Sequence, residues 1–381
     1  MLPLGSVIGI VGGGQLGRMS AMAAARLGYL VHVFGPEAGG PAAQVAAYST
    51  VAAYEDFEAL QRFAGAVDVV TFEFENVPAE GLDLLQALVP VRPGPDILRI
   101  SQDRLLEKAF LNRIGVPTAP WGPVHDAAEL VDEAQRWGFP CVVKTTRLGY
   151  DGKGQAIVRT EEEACDAFAA LRPFPLVLEG FVDFACEISV IVARGLDGAA
   201  VSFDPVENRH RDHILDMTLA PARLPAEVLA EASRIARRVA EKLELVGLLA
   251  VEMFVTADGG VLVNEIAPRP HNSGHWTMDA CPVGQFEMHI RAVAGLPLPP
   301  VMRHSDAVMK NLVGPEAMAD WGRILATPGL IAHHYGKIKA RPGRKMGHFT
   351  RLFAKGGLPA DFGVEDAMRL ASGEDAAVRQ L

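Results

Sequence analysis

The sequence predicts an α/β protein, on three observations. Short β-branched runs alternate with helical periodicity through the first third, glycine clusters sit between strand and helix or strand and strand, and an Asp-Gly turn joins two apolar runs near residue 258. Alternation of this kind builds a parallel sheet flanked by helices. Residues 7–11 read as a strand and 15–27 as a helix ended by Gly28; 31–34 is a second strand, 56–64 a helix and 67–72 a third strand. Pro78 opens a helix reaching about residue 88, since proline suits a first turn. Three prolines and a glycine at 89–95 mark a seam, so the first domain spans 1–100.

Ser101 is the expected N-cap of a helix over 103–113 that stops at Gly115, and Gly138 closes another over 126–137. A strand at 141–144 leads through a glycine-rich loop to a strand at 156–158. Thr160 with Glu163 forms a capping box for a helix to residue 171. Strands follow at 176–180, 187–194 and 199–203, then a long helix over 225–242, two strands flanking Asp258-Gly259, and a helix over 282–294. Prolines within 296–300 mark the next boundary, giving domains of 101–295 and 296–381, the last a mixed α+β region.

Composition narrows the functional classes. Of 381 residues 49% are apolar and 22% charged, a globular balance, and the net charge of -10 argues against nucleic acid or an anionic membrane as partner. No uncharged apolar run approaches the length of a bilayer span. The first basic residue is Arg18, so no secretory leader is expected. Cys141, Cys165, Cys186 and Cys281 stand far apart, which suits neither a zinc site nor a disulfide scaffold. A cytoplasmic protein acting on small molecules is the expectation.

Four motifs carry chemistry. Gly12-x-Gly14-x-x-Gly17 lies between a strand and a helix, where backbone amides can meet a phosphate. A nicotinamide cofactor would also need an acid ending the second strand; that strand ends Val33-Phe34-Gly35-Pro36, and Glu37 comes late. A tight turn or another ligand stays open. Gly149-Tyr150-Asp151-Gly152-Lys153-Gly154-Gln155 runs from strand to strand, unlike a Walker loop, and reads as a hairpin whose amides can nest over phosphates, with Lys144 and Lys153 supplying charge. An ordinary glycine hairpin is the alternative.

In the third motif, a two-residue Asp258-Gly259 loop pairs Ala257 with Gly260 and, counting outward, Glu252 with Glu265. Like charges roughly 5 Å apart repel, and an oxygen-only pair suits magnesium beside phosphates. A longer loop, with Gly260 in a bulge, would instead turn one glutamate to solvent. Fourth, residues 321–360 hold no Asp or Glu but do hold Arg323, Lys337, Lys339, Arg341, Arg344, Lys345, Arg351 and Lys355, which fits a discrete phosphate gripped by Arg344 and Lys345, or a solvated basic face. Between these lies Arg269-Pro270-His271-Asn272-Ser273-Gly274-His275-Trp276, polar groups placed to orient a second substrate.

Together these residues resemble the ATP-grasp ligases, and among them the family of 5-(carboxyamino)imidazole ribonucleotide synthases, over essentially the whole chain. Gly-Tyr-Asp-Gly-Lys-Gly-Gln, His-Asn-Ser-Gly-His-Trp and Arg341-Pro342-Gly343-Arg344-Lys345-Met346-Gly347-His348 carry the likeness. It implies an ATP-grasp architecture with a Rossmann-like first domain, a lid over about 118–183, and a C-terminal region completing the substrate phosphate site. It also implies ATP, bicarbonate and 5-aminoimidazole ribonucleotide as substrates, reacting through carboxyphosphate or carbon dioxide released from it, with Mg2+ and a homodimer.

Position by position, the likeness implies ATP contacts from Arg104, Lys144, Gly149, Tyr150, Asp151, Gly152, Lys153, Gly154 and Gln155. The adenine segment would be Glu179-Gly180-Phe181-Val182, with Glu187 at the ribose and His210 as a further contact. Glu252 and Glu265 would hold the metal beside Asn264, although strand alternation turns Asn264 away from Glu265. Gln15, Leu16, Glu73, Tyr150, Asp151, Asn272 and Ser273 would meet the ribonucleotide, with Lys337, Arg344 and Lys345 on its phosphate. Arg269 and His271, with Lys153, would act on bicarbonate or carboxyphosphate. A sibling using formate and glycinamide ribonucleotide is the nearest alternative. A nicotinamide oxidoreductase and a nucleotide-sensing module lie further off.

Overall fold

The first strands run parallel because each is separated from the next by a helix or crossover too long for a hairpin. The computed structural model describes residues 1–149, 152–173, 175–359, 362, 363 and 366. Strands β1 (Val7–Val11), β2 (Leu30–Gly35), β3 (Tyr48–Val51) and β4 (Val69–Phe72) form a parallel sheet in the order β3-β2-β1-β4, with helices α1 (Gln15–Arg26), α2 (Phe57–Ala64) and α3 (Ala79–Leu88). α1 ends where Gly28 takes φ +84°, and Asp56 caps α2 through Ala59 N–H. β3 carries no sequence signal because its side chains are mostly exposed, leaving no apolar alternation to read.

The expected seam at 89–95 is a continuation of this sheet: Val91 bridges Val70, and Pro95 starts α4 (Pro95–Gln102). The N-cap expected at Ser101 therefore falls inside α4, where its hydroxyl donates back to the Leu98 carbonyl. Asp103 caps α5 (Arg104–Arg113) instead, accepting from Leu105 and Leu106 N–H. The first extended residue after α4 is the one free to take a cap's geometry.

A second, antiparallel sheet combines β5 (Trp121–Val124), β6 (Cys141–Thr145), β7 (Gln155–Val158) and β8 (Leu176–Gly180) in the order β5-β8-β6-β7. It carries α6 (Ala127–Trp137) and α7 (Glu161–Leu171). Thr160 caps α7 through Glu163 N–H, and the Glu163 carboxylate returns to Arg159 N–H, one residue earlier than a simple capping box.

The third sheet has nine strands among the described residues. These are β9 (Phe184–Arg194), β10 (Ala200–Ser202), β11 (Val206–Arg211), β12 (Ile214–Ala220), β13 (Gly247–Thr256), β14 (Val261–Ala267), β15 (Ser305–Val313), β16 (Leu330–His334) and β17 (Lys345–Ala354), in the path β14-β13-β9-β11-β12-β15-β17-β16 with β10 on β9. Helix α8 (Ala226–Lys242) buries Val228, Ala232, Ile235, Ala236, Val239 and Ala240 against it, a helical stripe whose larger members contribute about 1.5–3 kcal/mol each. On the other side lie α9 (Thr277–Ala280) and α10 (Gln285–Ala294), with Trp276 fully buried. The last three strands extend this sheet through β12–β15 pairing, so the prolines at 296–300 divide the chain without dividing the sheet. Two short helices, α11 (Gly314–Ala319) and α12 (Trp321–Ala326), cover its end.

Candidate active site

The paired glutamates meet, by a route the hairpin count did not foresee. The turn has three residues, not two: Thr256 N–H donates to Gly260 O at 2.9 Å and Gly259 sits at φ +84°. Near the turn Met253, Phe254 and Val255 therefore pair with Val263, Leu262 and Val261, one step out of the expected register. A β-bulge then absorbs one extra residue on β14, and Glu252 comes to lie opposite Glu265. The bulge also overturns the alternation argument. Val263 and Ile266 both enter the core, so Asn264 and Glu265 both stay off it. Asn264 Oδ1 is buried without a protein partner.

The protein supplies much of the compensating charge. Arg104 Nη1 lies 3.0 Å from Glu265 Oε2, and His271 Nε2 lies 2.8 Å from Glu252 Oε1. Burial would raise the Glu252 carboxyl, but the charge and hydrogen bond of His271, with His210 and Arg269 beyond, bring it well below the carboxylate range. Each carboxylate spends one oxygen on these partners and has a second to offer. With the orphaned Asn264 Oδ1 this is an all-oxygen donor set, and it fits a hard divalent cation.

Behind the pair is a lysine cluster that reading the sequence only half found. Lys144 Nζ lies 3.0 Å and Lys108 Nζ 3.2 Å from the same Glu179 Oε2, and Lys108 Nζ also donates to the Asn264 carbonyl at 3.4 Å. Burial opposes ionisation of Glu179, but Lys144, Lys108 and Arg104 together pull its carboxyl down. Its side chain thus serves the lysines, whatever its backbone meets. Lys108 is fully buried one helical turn after Arg104; that i,i+4 spacing on α5 was the available signal. Glu107 beside it accepts from Ile266 N–H at 2.6 Å, bracing the strand just past the bulge.

The glycine hairpin joins β6 to β7, with Lys144 paired to Gln155. Gly152 and Gly154 both sit in the left-handed region, and a Cβ on Gly154 would come 2.6 Å from Thr145 Oγ1. Lys153 is exposed on the turn, Gly149 approaches the Arg104 guanidinium, and Tyr150 and Asp151 lie outside the described residues. Gly180 and Val182 are half-buried and Phe181 exposed at the end of β8, while Glu187 Oε2 and His210 Nδ1 meet at 2.8 Å across β9 and β11.

The amino-terminal loop holds the chain's own carboxylate. Gly14 N–H and Gly17 N–H donate to the two oxygens of Glu73, the latter at 2.8 Å; a Cβ on Gly12 would come 2.4 Å from Glu73 Cγ. These glycines make room for Glu73, so the dinucleotide reading of the motif fails on space: the amides at the start of α1 are taken. Burial raises the Glu73 carboxyl against the pull of those amides, Arg269 and Lys337. Gln15 is half-buried beside it, whereas the Leu16 side chain packs with Met19, Phe286 and Tyr335.

The basic tail comes back to this loop. Lys337 Nζ donates to the Lys345 carbonyl at 2.7 Å and lies over the Tyr335 ring; burial, then Arg344 and Lys345, bring its amine down to about 8, with Glu73 opposing. Arg344 is held by the Lys339 carbonyl at 3.0 Å. Arg269 Nη2 pairs with Glu75 at 2.8 Å, leaving its buried Nε without a protein partner, and both amide ends of Asn272 are likewise orphaned. Ser273, expected to face substrate, is fully shielded; its hydroxyl binds Ser189 Oγ and stands 2.8 Å from His271 Nδ1.

Paired carboxylates on a bulged hairpin, two buried lysines and a glycine hairpin on an adjoining antiparallel sheet define an ATP-grasp ligase. Family models agree: an ATP-grasp domain over residues 109–286, a ribonucleotide synthetase preATP-grasp domain over 6–102 and a phosphoribosylaminoimidazole carboxylase C-terminal domain over 307–355. The chain is 51% identical over 350 residues to the N5-carboxyaminoimidazole ribonucleotide synthase of Brucella melitensis, covering 91% of this chain and 96% of the relative. It is 42% identical to that of Bacillus subtilis, with 91% of each covered. Among solved structures, the Staphylococcus aureus enzyme complexed with ADP superposes with a TM-score of 0.90 at 35% identity, covering 98% of each chain. The Aspergillus clavatus enzyme in complex with ADP and 5-aminoimidazole ribonucleotide does so with 0.87 at 31%, covering 92% and 94%. The chain belongs to the N5-carboxyaminoimidazole ribonucleotide synthase family.

Proposed function

We infer that this chain uses ATP to join the carboxyl group of bicarbonate to the amine of 5-aminoimidazole ribonucleotide, releasing ADP and phosphate. A bicarbonate oxygen attacks the γ-phosphorus and ADP leaves. The amine nitrogen then bonds to the carboxyl carbon of carboxyphosphate, or of carbon dioxide released from it, as phosphate departs and the amine loses a proton. Arg104, Lys144 and the 149–155 hairpin with Lys153 take the triphosphate, the 179–182 segment the adenine, and Glu187 and His210 the ribose side. Glu252 and Glu265, with Asn264 beside them, would hold Mg2+, which when bound neutralises charge on the phosphates. Lys337, Arg344 and Lys345 take the ribonucleotide phosphate, and Gln15, Leu16 through its backbone, Glu73, Tyr150, Asp151 and Asn272 line the rest. Ser273 acts from behind, through His271.

One observation carries this reading. Arg269 pairs with Glu75 and lies within electrostatic reach of Glu252, Glu265 and Glu73, with a buried Nε–H unclaimed by protein. A cation with a spare donor between the triphosphate end and the ribonucleotide end is where a small oxyanion belongs. His271, on Glu252, completes that wall. The names of the relatives favour this substrate over formate and glycinamide ribonucleotide. Among the described residues no helix is long and apolar enough to cross a membrane. A cytoplasmic homodimer belongs to the same reading and rests on the family likeness.

ADP release measured with each substrate omitted in turn tests the assignment. Release should require both bicarbonate and 5-aminoimidazole ribonucleotide. Stimulation by formate with glycinamide ribonucleotide, and indifference to the first pair, would refute it.

A further inference from the structure

Behind His271 runs a chain of buried hydroxyls and an amide, of which the reaction described above invokes only Ser273. Thr218 Oγ1 on β12 donates to Asn208 Oδ1 on β11 (3.0 Å), Asn208 Nδ2 donates to Ser189 Oγ on β9 (2.9 Å), and Ser189 Oγ donates to Ser273 Oγ (2.7 Å). Ser273 Oγ stands 2.8 Å from His271 Nδ1, and Nε2 of the same ring is 2.8 Å from Glu252 Oε1. Thr218, Ser189 and Ser273 are fully shielded and Asn208 nearly so, so water does not scramble these bonds.

The two ends of an amide differ, and that gives the chain a direction. Asn208 Oδ1 takes the Thr218 hydrogen, so its NH2 faces Ser189. Ser189, having accepted, has one proton to pass to Ser273; Ser273, having accepted, has one for Nδ1. The Ser273 backbone N–H also donates to Nδ1, at 3.3 Å. In the neutral ring, Nδ1 is therefore met by hydrogens and accepts. We propose that Thr218, Asn208, Ser189 and Ser273 are positioning residues that hold His271 as its Nε2–H tautomer, with that hydrogen aimed at Glu252 and the reacting oxyanion. His271 then acts as a hydrogen-bond donor and not as a base. The chain has no part in placing the backbone, because Gln285 does that separately: its Oε1 accepts from His271 N–H at 2.9 Å and its Nε2 donates to His271 O at 2.7 Å.

The donor role rests on the carboxylation reading above; the tautomer does not, and 15N spectra separate the two. The full chain is labelled with 15N-histidine, and the His271 signals are assigned by their loss in His271→Gln, at a pH where the ring is neutral. A bare Nδ1 and a protonated Nε2 are expected. In Asn208→Asp the carboxylate only accepts, so the Ser189 proton turns toward it, the Ser273 proton turns toward Ser189, and the ring must donate through Nδ1. The spectrum should switch tautomer and kcat should fall about 10- to 100-fold, with the KM for ATP unchanged. Ser189→Ala, which adds no buried charge, should give mixed tautomers and a similar loss. A wild-type His271 carrying its hydrogen on Nδ1, or an unchanged tautomer in Ser189→Ala, overturns the proposal. A tautomer that shifts in Ser189→Ala while kcat holds would uphold the chain and remove His271 from the reaction instead.

Discussion

Glu107 offers a stability measurement that reports on the floor of the site. Its carboxyl is almost fully buried, and burial together with the Glu265 charge raises it from 4.5 to about 8, against the pull of Lys108, Arg104 and the Ile266 N–H. The folded protein therefore keeps this proton at pH 7, where the unfolded chain has released it. A carboxyl raised on folding contributes its full stability below 4.5 and loses it as pH climbs toward about 8. At about 1.4 kcal/mol per pH unit, the cost to the wild type is roughly 1 kcal/mol at pH 5 and roughly 3 kcal/mol at pH 7. Glu107→Gln keeps an oxygen for the Ile266 N–H and has no proton to lose. Urea unfolding in magnesium-free buffer should show the variant gaining about 2 kcal/mol on the wild type between pH 5 and pH 7. An equal gap at both pH values would mean that Glu107 is ionised in the folded protein, and the account of charge beneath the bulge would fail.

Other perturbations separate the ends of the site. Glu265→Gln should abolish most magnesium-dependent ADP release while leaving Tm near the wild-type value, since the side chain is partly open to solvent; wild-type turnover would remove the metal assignment. Arg344→Ala should raise the KM for the ribonucleotide and leave that for ATP unchanged; a selective rise for ATP would contradict the phosphate grip. Gly14→Ala places a Cβ 2.5 Å from Glu73 Oε1, and crowding of that kind costs about 1–3 kcal/mol. It should lower Tm and weaken ribonucleotide binding together. An unchanged Tm would mean that Glu73 does not occupy the loop.

The legible parts of the site share a property: their signal is local. A Thr-x-x-Glu cap, an Asp-Gly turn or a run of basic residues with no acid between them is read within a few residues. β11 escaped because its sequence, Val-Glu-Asn-Arg-His-Arg, has a single apolar residue and no period to read, whereas β12 does alternate over Leu215-Asp216-Met217-Thr218-Leu219, a local strand signal that was there to be used. Asn208 and Thr218 are buried because they bond to each other and to Ser189 on β9, a partnership the order of residues along one strand does not reveal. Pairing of Glu252 with Glu265 was anticipated from a two-residue loop, and it arises from a three-residue loop corrected by a bulge. Two register errors of opposite sense cancel in the pair and reappear at Asn264, whose side the alternation misplaced.

From sequence alone came three of the four strands of the first sheet with the helices between them, the glycine hairpin, the acidic pair and the basic tail, because backbone preference and charge are carried by the residues themselves. Which groups face which was decided only by the fold. The glycine loop's amides donate to Glu73, Lys108 joins Lys144 on Glu179, and Arg269 pairs with Glu75 within electrostatic reach of Glu252 and Glu265. Burial makes each of these contacts obligatory, since an ion or amide removed from water must find a partner wherever tertiary packing brings one, at any distance along the chain.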